Sequence, residues 1–217
     1  MNTFDQIMER LCTNEEEELF IHWATEGNLE KVMDAVIKHG MDPNTRSYRG
    51  WTGLREAAIH GHYDIAQFLL EKGAVLDAKN ATGWTAMMMA CANGHMDIVR
   101  LLISKGADVN AKNINDWTGL MSASYNGHRF IVRYLIDHGA NLNMQCKHGK
   151  TALMLAVEKG FSTIVSMLIE AGADLNIVDT SGLFEGDTAL RLARRFNHEQ
   201  IEEMLIRAGA NDPDEKE

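Results

Sequence analysis

Histidine and cysteine are the residue types in this chain best suited to chemistry, and their spacing decides which chemistry is open to them. The 217 residues include nine histidines and three cysteines. His60-Gly61-His62 could offer two imidazoles to a metal, but His62, His95 and His128 recur at intervals of 33 residues, each directly after a glycine. A residue that returns once per unit marks a role in the fold. Cys12, Cys91 and Cys146 form no C-x-x-C pair, so no zinc site is expected. Their odd number at unrelated unit positions argues for reduced thiols. The chain has no G-x-S-x-G elbow, no phosphate-cradling G-x-x-x-x-G-K-S/T loop and no H-E-x-x-H pair. Arg55-Glu56 is an unusual polar pair where sister positions carry Met88-Met89 and Met121-Ser122. A carboxylate there could do acid–base work, although alone it reads as solvated or ion-paired. The expectation is therefore no catalytic residue, no metal and no cofactor.

The elements that carry these residues repeat. Gly50-Trp51-Thr52, Gly83-Trp84-Thr85, Asp116-Trp117-Thr118 and Gly149-Lys150-Thr151 open units 33 residues apart, and Gly186-Asp187-Thr188 opens the last after 37. Gly40, Gly73, Gly106, Gly139, Gly172 and Gly209 form a second series in the same phase. A period in the range of about 20–50 residues signals a solenoid or array. Each threonine suits an N-cap for a short helix with Leu, Met and Ala at helical spacing. Gly-His then breaks the chain. A run such as Asp97 to Ile103 resumes with apolar residues at i, i+3 and i+4, which predicts a second, antiparallel helix. A glycine suited to left-handed backbone closes it, and Ala-Asp-Val-Asn leads into an extended finger. Neither helix can bury its apolar stripe alone, so the units must stack.

The motifs G-x-T-x-L/M, G-H-x-x-I-V-x-x-L-L and G-A-D-V-N resemble those of the ankyrin-repeat family over roughly residues 18–211. The family's T-P-L-H is replaced by Thr85-Ala86-Met87-Met88, Thr151-Ala152-Leu153-Met154 and their sisters, a variant similar to that of bacterial members. The resemblance implies an all-α solenoid of stacked helix-turn-helix units with β-turn fingers, about six repeats including caps. The boundaries are residues 1–14 for an N-terminal helix or extension, 15–49 for a degenerate capping repeat, 50–82, 83–115 and 116–148 for regular repeats, 149–185 for a repeat with an extended finger, 186–211 for a C-terminal cap and 212–217 for an acidic tail.

Charge narrows the partners. The net charge is −10, with −5 over residues 1–49, +1 over both 83–115 and 116–148, and −3 over each of the last two segments. Acidic ends oppose a grip on nucleic-acid phosphates, which rests on clustered Lys and Arg. No run approaches the roughly 18 apolar residues of a membrane span, and the first ten residues lack the apolar core of a signal peptide. A monomeric, cytoplasmic protein is expected, with secretion as an effector left open. Residues 2–12 place Phe4, Ile7, Met8 and Leu11 on one helical face, and Thr13-Asn14-Glu15-Glu16 reads as a capping box.

In the family that this chain resembles, finger tips and the exposed positions of each first helix line a concave face that grips protein partners. At the matching positions stand Tyr48, Arg49 and Trp51; His60; Trp84 and Asn93; Trp117, Tyr125 and Asn126; and Lys150. Phe184, in the lengthened last finger, completes the candidate set. Trp51, Trp84 and Trp117 share one repeat position and should form a row. They could serve as interface anchors, since Trp, Tyr and Arg dominate hot spots, or they could brace the stack. Met88, Met121 and Met154 could line the same region, although core packing is the simpler role. The function expected is a protein-binding module acting as adaptor, inhibitor or effector. The alternative is a small ligand or short oligonucleotide stacked on the tryptophans, and an enzyme ranks third.

Overall fold

The computed structural model describes residues 15–180 and 186–211. The chain divides into two compact units, Met1–Asp108 and Val109–Glu217. The first holds α1 (15–25), α2 (Leu29–Lys38), α3 (Gly53–His60), α4 (Tyr63–Glu71), α5 (Ala86–Asn93) and α6 (Met96–Ser104). The second holds α7 (Gly119–Tyr125), α8 (Arg129–Asp137), α9 (Ala152–Glu158), α10 (Ser162–Glu170), α11 (Ala189–Arg195) and α12 (Glu199–Arg207). Among the described residues there is no strand, and one isolated antiparallel bridge joins Arg46 to Thr52. The expected all-α repeat solenoid is what the chain builds, a helix pair and a finger at a time. The proposed helix over residues 2–12, the first half of the capping box, Phe184 and the tail lie outside the described residues.

Local chemistry sets the helix ends. Thr52, Thr85, Thr118, Thr151 and Thr188 each accept a hydrogen bond from the amide three residues on, closing one of the open donors of the first turn. Helices of seven to eleven residues are marginal in isolation, so packing must hold them. In the first unit α3 lies against α4 and α5, and α4 against α6; in the second α7 lies against α8 and α9, and α9 against α10 and α11. Both helices of a repeat supply the core, the second with residues such as Ile98, Val99, Leu101 and Leu102. Each contributes about 1.5–3 kcal/mol through burial. Met88, Met121 and Met154 are buried to within one per cent. They belong to the core, which removes them from any surface role.

The Gly-His pair is a lock between repeats. Gly61 adopts φ +78°, and a Cβ there would stand 2.6 Å from the His95 ring. His95 Nε2 in turn lies 2.9 Å from the Ile59 carbonyl, and His62 Nε2 lies 2.8 Å from that of Thr25. The glycine bends the chain and makes room for the next repeat's imidazole. Phe161 takes the same place against Gly127, keeping the packing while losing the hydrogen bond. His62 and His95 are thus committed to bonds between repeats, and the described residues contain no group of three or more His, Cys, Asp or Glu side chains able to hold an ion.

The last residue of G-A-D-V-N is a clasp. Asn44 Oδ1 accepts from Val75 N at 2.7 Å while its Nδ2 donates to Gly73 O at 3.1 Å. Asn110 makes the same pair of bonds to Asn141 N and Gly139 O. Asn143 and Asn176 accept from Asp174 N and Asn211 N. Asp77 holds this position in the first unit and accepts from Asp108 N at a long 3.4 Å, with its Oδ1 buried and unpartnered. A carboxylate has no N–H to give, so half of the clasp is lost there.

Candidate protein-binding face

The finger base holds the tryptophan position rigidly. Ser47 N donates to Trp51 O at 2.9 Å and Trp51 N returns a bond to Ser47 Oγ at 3.1 Å. Asn80 and Asn113 do the same for Trp84 and Trp117, with Oδ1 distances of 2.9 and 3.0 Å. In the last finger Asp179 N still meets Asp187 O at 3.0 Å, so the four extra residues leave the base intact. Backbone and cap thus fix where each side chain ahead of the capping threonine begins. What it touches then depends on the residue eight positions further on, at the end of the first helix.

In the second unit that pairing closes inside the repeat. Trp117 and Tyr125 meet edge to face with centroids 5.7 Å apart, a geometry worth about 0.5–1.5 kcal/mol beyond burial. Lys150 makes a short ion pair with Glu158, both side chains mostly buried. Arg195 Nη2 lies 2.6 Å from Asp187 Oδ2. Residue types and charge signs change while the contact stays. Lys159 Nζ also stands 4.2 Å from the Tyr125 ring centre, and Asn126 Nδ2 donates to Ser122 O. This spacing of eight was visible in the sequence as Lys150/Glu158 and Asp187/Arg195, two oppositely ordered charge pairs at one pair of repeat positions.

The first unit is built differently. Tyr48 is 77% exposed. Arg49 stacks its guanidinium 5.1 Å from both the Tyr48 and the Trp51 rings. It has no acidic partner among the described residues. Arg55 covers Trp51 as well, at 4.7 Å, and its Nη1 lies 2.6 Å from Glu56 Oε1. Both members of that pair are buried, so Glu56 is ion-paired rather than solvated. Burial pushes the Arg55 guanidinium below its ordinary range, with Glu56 pulling it back. Its Nε is buried with no hydrogen-bond partner. These side chains, with Ile59 and His60 from α3 and Glu18, Ile21, His22 and Thr25 from α1, line a cleft of about 470 Å³. Glu18 Oε1 accepts from Tyr48 N at 2.5 Å and ties the finger tip to α1. The α1 wall escaped the sequence reading, which used Glu15 and Glu16 only as part of a capping box.

Of the candidate residues, Tyr48, Arg49, Trp51 and His60 come together on this one cleft. Trp84 and Asn93 sit on the finger and first helix of the following repeat, both in the first unit; Trp84 is half-buried, and Asn93 is exposed with Nδ2 donating to Met89 O. Trp117, Tyr125, Asn126 and Lys150 occupy the corresponding places in the second unit, tied into its internal contacts.

Comparison with known proteins accounts for the repeat. A family model described as ankyrin repeats (3 copies) matches residues 3–80, 21–113, 110–179 and 147–217. Human protein phosphatase 1 regulatory subunit 27 is 44% identical over 54 residues, 25% of this chain and 34% of that protein. Human ankyrin repeat domain-containing protein 39 is 41% identical over 56 residues, 26% of this chain and 30% of that protein. Alpha-latrocrustotoxin-Lt1a of Latrodectus tredecimguttatus is 38% identical over 53 residues, 24% of this chain and 4% of the toxin. The chain spans about a third of the length of the first two relatives. With matches running along nearly all of its length and each landmark of the motif accounted for by a lock, cap or clasp, the chain belongs to the ankyrin-repeat family, whose repeats form protein-binding modules.

Proposed function

We propose that this protein is a non-enzymatic, cytoplasmic adaptor or inhibitor that grips another protein through the finger and first-helix face of its first unit, with Tyr48, Arg49 and Trp51 at the centre. The carrying observation is Arg49, an exposed guanidinium 5.1 Å from the centres of two rings and without an acidic partner among the described residues. A side chain ordered in advance loses little entropy when a partner arrives, and Arg with Tyr and Trp is the composition of interface hot spots. The mechanism is presentation: a rigid cleft receives one or two partner side chains while the surrounding surface excludes water. The printed name of one relative, a phosphatase regulatory subunit, is compatible with such a role and lends it a precedent, not a partner.

The test is to capture the partner from the native source with the wild-type chain, identify it by mass spectrometry, and measure its affinity for Tyr48→Ala combined with Arg49→Ala. Binding weaker by more than about tenfold, with an unchanged thermal midpoint, supports the reading. Unchanged affinity in a folded variant overturns it. A second reading, a small ligand in the same cleft, draws on its volume, which falls within the roughly 300–1,000 Å³ of ligand pockets.

A further inference from the structure

We infer that Trp84 is an interface anchor of the first unit and that it takes an aromatic side chain of the partner protein, filling the role that Tyr125 plays for Trp117. The inference rests on the protein-binding reading above and adds a specific residue and a specific occupant. At four of the five repeat positions ahead of the capping threonine, a side chain of this same chain reaches over: the arginines on Trp51, Tyr125 on Trp117, Glu158 on Lys150 and Arg195 on Asp187. The fifth is Trp84. Eight residues on stands Ala92, whose methyl group is too short to cover an indole. Trp84 makes no ring or cation contact among the described residues.

Its backbone is nonetheless as tightly held as the others, by Asn80 Oδ1 at 2.9 Å, so the half-buried ring is positioned with no ring or cation of the described residues against it. The neighbouring repeat positions are occupied by Ala81, Thr82, Met89 and Asn93, all uncharged. That composition suits a neutral side chain and offers nothing to a phosphate, which favours a peptide over an oligonucleotide. Among neutral side chains an aromatic one is preferred, because the molecule itself uses a tyrosine edge at the equivalent place, and such pairs gain from quadrupole as well as area.

The experiment uses the full chain labelled with nitrogen-15 and follows the indole N–H signals of its four tryptophans, with Trp84→Phe assigning one of them. The probes are the capped pentapeptide Gly-Gly-Tyr-Gly-Gly, its Leu and Glu counterparts, and the tetranucleotide of thymidine. The expected result is a saturable shift of the Trp84 signal with the tyrosine peptide, smaller with leucine and absent with glutamate and the tetranucleotide. Ala92→Tyr should place a ring of the chain's own over Trp84, weaken the shift at least about tenfold and raise the thermal midpoint. Ala92→Leu, a smaller change, should weaken it in the same direction and covers the case in which Ala92→Tyr does not fold. A shift confined to Trp51 or Trp117, a response to the tetranucleotide alone, or a full response retained in a folded Ala92→Tyr or Ala92→Leu overturns the inference, as does silence. None of these results bears on the Tyr48 and Arg49 test, so the two readings fail separately.

Discussion

The same repeat position behaves differently in the two units. In Val109–Glu217 the residue ahead of each capping threonine is matched from within its own repeat, by a ring edge at Trp117 and by ion pairs at Lys150 and Asp187. In Met1–Asp108 it is either stacked with guanidinium groups, at Trp51, or half-buried with no ring or cation partner among the described residues, at Trp84. One unit matches its finger residue with the end of its own first helix; the other holds comparable side chains in place without that match. The fold requires the position to be anchored at the backbone, and it leaves the side chain free to serve either end. Periodicity therefore identifies a scaffold position, while the partner of each copy reveals its use.

The largest expected effect tests what underlies the open cleft. Arg55→Ala strands the Glu56 carboxylate in the interior, and breaking a buried pair in this way costs about 3–5 kcal/mol, read as a fall in the urea midpoint. Replacing both by methionine, as at Met88-Met89, should be neutral or stabilising by the same argument. A single-variant loss below about 1 kcal/mol would mean that the pair is wetter than its burial implies. Next in size, Lys150→Ala should destabilise the protein by about 1.5–3 kcal/mol, the range for a charge-assisted bond. The double reversal Lys150→Glu with Glu158→Lys should recover most of that, since Asp187 and Arg195 already show the inverted order at work. Failure to recover would show that the brace depends on more than the charge pair.

A smaller gain is expected from Asp77→Asn. The amide supplies the donor that Asp77 lacks, toward the carbonyl of Gly106, as Asn44 does toward Gly73. One added hydrogen bond contributes about 0.5–1.5 kcal/mol, visible as a higher midpoint in thermal unfolding. The smallest effect is the most informative about function. Tyr48→Ala should change stability by less than about 0.5 kcal/mol, as surface substitutions do, because the Tyr48 bond to Glu18 is made by its backbone amide. A large loss of stability would move Tyr48 from the open face to the braced one.

Most of the fold was legible in the sequence because its determinants are local and recur. Thr52 and its sisters announce helix starts, Gly73 and Gly106 announce left-handed helix ends, and the 33-residue phase sets the register. The locks were half legible: Gly61 and His95 stood out as motif residues, but that one makes room for the other depends on atoms brought together across a repeat boundary. The braces were hardest to read. A contact between residues eight apart joins a finger to the far end of a helix, and no helical or strand periodicity forecasts it. Tyr125 and Trp117 were both singled out, yet as parallel candidates rather than as partners. The Arg55–Glu56 pair was noticed for its departure from the sister repeats, while its burial beneath Trp51 became apparent only with α1 packed across from it.

The clasps and locks have a consequence for how such a chain can change in length. Asn44 grips the amide of Val75 and the carbonyl of Gly73, and His62 and His95 reach the carbonyls of Thr25 and Ile59. Every one of these acceptors and donors is main chain. If residues 50–82 were excised, Asn44 would face Gly106 and Asp108, and His95 would face Thr25, with the same atoms on offer. The joints are blind to side-chain identity, so whole units can be lost or duplicated without new joinery, and the surface residues are left to diverge on interchangeable parts.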